Sequence, residues 1–211
     1  MNQVTKSALT ILIILVSLVG CRKEPHKKEV FLPLSERLKK YFVFQKGSYW
    51  VYQAENGMKR DCCYIKEPPC FYHILKSDNN VDSIWECCRL EYGGSFIEEA
   101  TVDESNCWYD FSSGGITVSL IRDHFEPGYS HYNKSTYSYF TLKNIDILDS
   151  IVINQKTFHS VLVTEALHVL GPSDSTLNTH YLVESIGLVR FTSKRRIYDS
   201  TCNLGSYHII Q

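Results

Sequence analysis

Apolar and polar residues alternate with a period of two along most of this chain, and that alternation predicts strands. Two stretches break it near the start. An apolar run covers residues 8–20 behind a polar opening with Lys6, and Pro33-Leu34-Ser35-Glu36-Arg37-Leu38-Lys39-Lys40-Tyr41-Phe42 puts Leu34, Leu38 and Tyr41 or Phe42 on one helical face, with Pro33 suited to a first turn. Strands are then expected at 47–53 and 59–66, turned by Glu55-Asn56-Gly57, and at 70–76 and 81–89, flanking Ser77-Asp78-Asn79-Asn80. Further strands are expected at 96–102, 107–111, 116–122, 135–142, 151–153, 160–167, 177–184, 188–198 and 204–210. Gly93-Gly94, Gly114-Gly115, Gly171-Pro172 and Ser185-Ile186-Gly187 punctuate them. Short, closely spaced strands of this kind predict an all-β fold: an antiparallel curved sheet, sandwich or half-barrel, with a short N-terminal helix at most.

The apolar run ends in Leu18-Val19-Gly20-Cys21, which resembles a bacterial lipobox, where the cysteine thiol is acylated and becomes the first mature residue. A membrane span needs about 20 apolar residues, more than this run supplies before Cys-Arg-Lys-Glu. The expected organisation is a lipoprotein signal peptide at 1–20, a lipidated tether at 21–32 and a single β domain at 33–211. Residues 22–29 are charged or polar except for Pro25 and suit a solvated tether. Several acyl chains, palmitate among them, would hold the protein on a membrane where one chain would not.

Composition adds little beyond this. Lys6 is the only charged residue before Cys21, so the remainder has 21 basic against 23 acidic side chains, which gives no footprint for nucleic acid. The 14 Tyr, 10 Phe and 3 Trp reinforce the strand reading.

Three segments carry a wider resemblance. Phe42-Val43-Phe44-Gln45-Lys46-Gly47-Ser48-Tyr49-Trp50-Val51-Tyr52, Tyr181-Leu182-Val183-Glu184-Ser185-Ile186-Gly187-Leu188-Val189-Arg190-Phe191 and Leu204-Gly205-Ser206-Tyr207-His208-Ile209 resemble segments of small lipoproteins of Gram-negative cell envelopes. The resemblance implies an all-β envelope protein, lipid-anchored at the outer membrane, and carries over no catalytic residue.

Seven cysteines follow Cys21. Cys62, Cys63, Cys70, Cys87, Cys88 and Cys107 are disulfide candidates in an oxidising compartment, with Cys202 left over. A four-residue loop at 77–80 would set Cys70 opposite Cys87, Tyr72 opposite Trp85 and Ile74 opposite Ser83, which favours a 70–87 bridge. The adjacent pairs 62–63 and 87–88 lack metal-ligand spacing, so no metal is expected; nor is any cofactor.

Asp123-His124-Phe125-Glu126-Pro127-Gly128-Tyr129-Ser130-His131-Tyr132-Asn133 reads as a long loop. Its Phe125, Tyr129, His131 and Tyr132 form a candidate binding surface. Asp-Ser triplets place Ser150, Ser175 and Ser200 in a pattern that resembles a bacterial O-glycosylation sequon, Ser175 and Ser200 in expected turns. The leading expectation is a noncatalytic module that binds a glycan, a lipid or an envelope protein, or that helps organise the cell surface. An envelope hydrolase using the 123–133 loop and a lipid carrier with an apolar groove are the alternatives.

Overall fold

The computed structural model describes residues 28–55, 60–78, 81–94, 97–102, 106–111, 116–122, 127–128, 130–134, 139–171, 174–195 and 198–211. The elements are β1 (Lys28–Leu32), α1 (Glu36–Phe42), β2 (Tyr49–Ala54), β3 (Arg60–Ile65), β4 (Cys70–Asp78), β5 (Val81–Gly93), β6 (Ile97–Val102) and β7 (Asn106–Phe111). They continue with β8 (Ile116–Arg122), β9 (Ser130–Lys134), β10 (Tyr139–Ile153), β11 (Lys156–Gly171), β12 (Asp174–Val183), β13 (Gly187–Arg195) and β14 (Tyr198–His208). The fold is all-β with one short helix, as the alternation predicts.

All the strands join one open sheet in the order β8-β7-β6-β5-β3-β2-β14-β13-β12-β11-β10-β9, with β1 and β4 paired to β5 off that path. The path is antiparallel throughout, while β1 runs parallel to β5. Two halves meet at a narrow joint, where β3 and β5 pair only at Tyr64–Gly93 and Ile65–Tyr92. The sheet curls enough for β8 to come within 8 Å of β10 and β11 by Cα positions, although it stays open between β8 and β9.

α1 holds the halves together from inside the curl. Ser35 caps it, its hydroxyl accepting from the Leu38 amide. Leu34, Leu38, Tyr41 and Phe42 are all buried in the same core as Trp50, Tyr52, Ile65, Leu90, Leu162, Leu182 and Leu204. Each such side chain contributes about 1.5–3 kcal/mol on burial. On one flank the Leu34 amide donates to Glu86 Oε2 of β5 at 3.0 Å, with Lys39 Nζ 3.4 Å from the same oxygen. Those contacts, the amide first, hold the Glu86 carboxyl below its usual range. On the other flank Lys40 pairs with Glu184 at 2.9 Å, and the Ser185 amide donates to the Lys40 carbonyl.

The turn that receives the helix is tight. Ser185 has φ 65° and Gly187 φ 87°, and a Cβ on Gly187 would lie 3.2 Å from two ring carbons of Phe44. Phe44 in turn stacks edge-on against Trp50 at 4.9 Å, and Trp50 Nε1 donates to the Ile186 carbonyl at 2.6 Å. Tyr52 donates to the Leu188 carbonyl at 2.8 Å, so two aromatic side chains of β2 satisfy backbone acceptors around the turn.

Four expectations change. Residues 28–32, read as the end of the tether, form β1, because Val30-Phe31-Leu32 is apolar enough to pair alongside β5. The hairpin of β4 and β5 closes with only residues 79–80 between Asp78 and its partner Val81. Asparagines suit so short a connection. Register therefore slips by two: Cys70 faces Arg89, Tyr72 faces Cys87 and Ile74 faces Trp85. The expected 123–133 loop is cut short, since Ser130–Lys134 is an edge strand that gives β10 a partner. Finally, Asn154 and Gln155, at φ 48° and 67°, turn β10 directly into β11. Without a glycine this turn gives little sequence signal, and the hairpin is longer than the alternation suggests.

Candidate functional site

Directly opposed residues of neighbouring strands share a face, and the registers therefore trace continuous rows across the sheet. One row runs Asn144–Thr164–His180–Phe191–Cys202–Ala54 through β10, β11, β12, β13, β14 and β2. The next contains Leu142, Ala166, Asn178, Ser193 and Ser200. Asn144, Thr164, Asn178 and His180 are buried, which makes a polar band on a face whose other members, such as Leu162 and Leu182, belong to the apolar core.

Within the band His180 Nδ1 lies 3.4 Å from Thr164 Oγ1, and the imidazole packs against Phe191 with ring centres 5.4 Å apart. Neither His180 Nε2 nor Asn178 Oδ1 has a hydrogen-bond partner among the described residues. Burial pushes the His180 pKa down to about 3, so the ring is neutral at pH 7 and works as a hydrogen-bonding group, with no proton to give as an acid. The chemistry of the band is neutral hydrogen bonding within the buried face of the sheet. Sequence reading missed this band because Thr176, Asn178 and His180 alternate with Leu177, Thr179 and Tyr181. Both faces of β12 carry mixed character, and the pattern does not say which face is inside.

The expected site residues disperse. Cys21, Phe125 and Tyr129 lie outside the described residues, as do Asp123, His124 and Glu126. His131 and Tyr132 sit in β9 opposite Leu142 and Thr141. Ser150, in β10 opposite His159, is exposed. Ser175 and Ser200, expected in turns, sit near the starts of β12 and β14; Ser175 is exposed and faces Val169, whereas Ser200 is half-buried opposite Ser193.

Among the described residues no cysteine stands directly opposite another. Cys62 faces Val51, Cys63 faces Trp50, Cys88 faces Phe71, Cys107 faces Val102 and Ile121, and Cys202 faces Phe191. Cys62 and Cys70 are exposed, Cys202 is half-buried, and Cys63, Cys87 and Cys88 are buried. Burial, reinforced by Cys70, Glu86 and Cys87, pushes the Cys88 thiol up to about 12 and leaves it protonated and unreactive. No group of three or more His, Cys, Asp or Glu side chains among the described residues could hold a metal ion.

The chain matches no protein-family model and no curated protein. Two solved structures resemble it in shape. One is named a "putative lipoprotein" from Parabacteroides distasonis, with TM-score 0.43 and 11% identity over 80% of this chain and 98% of that one. The other is named a "putative exported protein with YmcC-like fold" from Bacteroides fragilis, with TM-score 0.42 and 10% identity over 80% and 98%.

Proposed function

We propose that this chain is an exported, lipid-anchored protein of the Gram-negative cell envelope, held at the outer membrane through acylated Cys21, and that its curved sheet is a binding module. The observation that carries the reading is Leu18-Val19-Gly20-Cys21 at the end of the apolar run 8–20, followed at once by charge. The first strand starts at Lys28, seven residues beyond Cys21, so a folded domain follows the anchor after a short polar spacer. Binding is favoured over hydrolysis by His180, which burial makes too weak a base to take up a proton at neutral pH and whose hydrogen-bonding neighbour among the described residues is Thr164. The proposed ligand is a glycan, a lipid or an envelope protein.

Intact mass of the protein from its native host tests the anchor. The wild type is expected to begin at Cys21 and to exceed the polypeptide mass by acyl chains, while Cys21→Ser should retain residues 1–20 and lose the acyl mass. A wild type that keeps residues 1–20 without acylation would overturn the reading. A hydrolytic activity lost on replacing Asp123, His124, Glu126 or His131 by alanine, with the fold intact, would favour the enzyme instead.

A further inference from the structure

β5 is longer than its place in the sheet requires. Residues Cys88–Glu91 pair with β6 and Tyr92–Gly93 with β3, but Val81–Trp85 pair only with β1 on one side and β4 on the other. The three strands make a ladder beyond the point where β5 joins the rest of the sheet. Of the nine large hydrophobic residues exposed among the described residues, four, Phe31, Phe71, Ile74 and Leu75, belong to it. An ordinary edge would carry charge or proline against unwanted pairing, and β4 instead presents its apolar residues to solvent.

The registers put three of the four on one face. Phe31 and Leu75 both lie opposite Ile84, and Phe71 lies opposite Cys88, with exposures of 54% for Phe31, 48% for Phe71 and 64% for Leu75. His73 belongs to the same face, its ring 5.7 Å from that of Phe31. The opposite face carries Ile74 and Trp85, with Lys76 Nζ 3.2 Å from the indole centre. Apolar and aromatic side chains gathered on one face, as Phe31, Phe71 and Leu75 are, suit the interfacial layer of a bilayer.

The chain itself indicates what covers this face. Seven extended residues from Cys21 to Lys28 reach no more than about 25 Å. Of the strands, β1 is therefore the one tied most closely to the anchor. Arg22, Lys23 and Lys27, against Glu24, give the spacer an excess of positive charge that lipid phosphates attract.

We propose that the ladder of β1, β4 and the first half of β5 is a membrane-contacting shelf that seats Phe31, Phe71 and Leu75 in the interfacial layer of the bilayer. This rests on the lipid-anchor reading above and extends it: the acyl chains hold the protein on the membrane, and the shelf sets which way the domain faces.

The test places a tryptophan on the shelf by Leu75→Trp and a control at Val152→Trp, an exposed position in β10, which pairs with none of the three strands. The full mature protein is incorporated into phosphatidylethanolamine–phosphatidylglycerol vesicles with or without brominated acyl chains, and intact mass is recorded on the same sample. Emission of the added tryptophan at 75 is expected to shift to the blue and to be quenched about twofold by brominated lipid, as insertion by several ångströms implies. Val152→Trp should be unaffected. An acylated protein whose position 75 stays water-accessible and unquenched would sink the shelf while leaving the anchor standing. Quenching of an unacylated protein mixed with vesicles would do the reverse. A blue shift without lipid, accompanied by dimers in sedimentation, would assign the face to a second copy of the chain and overturn the proposal.

Discussion

His180 shows how far one side chain's behaviour is set by its position. A histidine in water is half protonated near pH 6.5, but this one, enclosed among Thr164, Phe191 and the core, resists protonation until about pH 3. The unfolded chain therefore binds a proton between pH 6.5 and 3 that the folded chain refuses. Stability contributed by the neutral ring is fully present above pH 6.5 and is lost as pH falls towards 3, with a slope of up to about 1.4 kcal/mol per pH unit. His180→Gln keeps a neutral hydrogen-bonding side chain and removes the titration. Urea midpoints between pH 7 and pH 4 should fall more steeply for the wild type than for the variant, and parallel curves would show that His180 is not the group responsible. The sequence contains eight histidines, and nothing in their spacing separates this one from the exposed His73 or His208.

At the scale of elements, the β12–β13 turn and α1 depend on each other. The turn presents the Ser185 amide and the Ile186 carbonyl to the Lys40 carbonyl and to Trp50, and it can approach Phe44 because residue 187 has no side chain. Gly187→Ala meets both a positive φ and a ring at 3.2 Å, and is expected to cost about 1–3 kcal/mol. Thermal unfolding measures the loss, and an unchanged midpoint would mean the turn relaxes without penalty. Here the sequence was informative. Ser185-Ile186-Gly187 reads as a turn, Leu34, Leu38, Tyr41 and Phe42 read as one helical face, and both hold. The β4–β5 hairpin was not legible to the same depth, because loops of two and four residues are both compatible with Ser77-Asp78-Asn79-Asn80 and differ by a shift that leaves every side chain on its expected face. Only the pairing of named residues changes, so Cys70 meets Arg89 in place of Cys87.

Across the whole molecule, two sheet halves are connected by the short β3–β5 pairing and by a helix that touches both. Loosening α1 should weaken their coupling more than it weakens either half. Each of Leu34→Ala and Leu38→Ala is expected to cost about 2–5 kcal/mol. In the double variant, hydrogen exchange is expected to accelerate first in β5 and β6, ahead of the long β10–β11 hairpin, since the second half retains more strand pairing. Uniform acceleration across both halves would show that they unfold as one unit despite the narrow joint.

By itself the sequence determined the class of fold and carried the proposal of a lipid anchor at Cys21. Alternation with a period of two is a local property of the backbone, and the length of the run before Cys21 and the charge after it are equally local, so neither needs a partner elsewhere in the chain. Tertiary structure alone decided the rest: that 28–32 leaves the tether to pair with β5, that His131 and Tyr132 join an edge strand, and that His180 and Asn178 are buried while Phe31, Phe71 and Leu75, on the same face of the ladder as the core residue Cys88, stay exposed. These outcomes turn on which strands become neighbours. Pairing partners far apart in sequence compete through contacts that no local window contains, and the winner sets which face of each strand is inside.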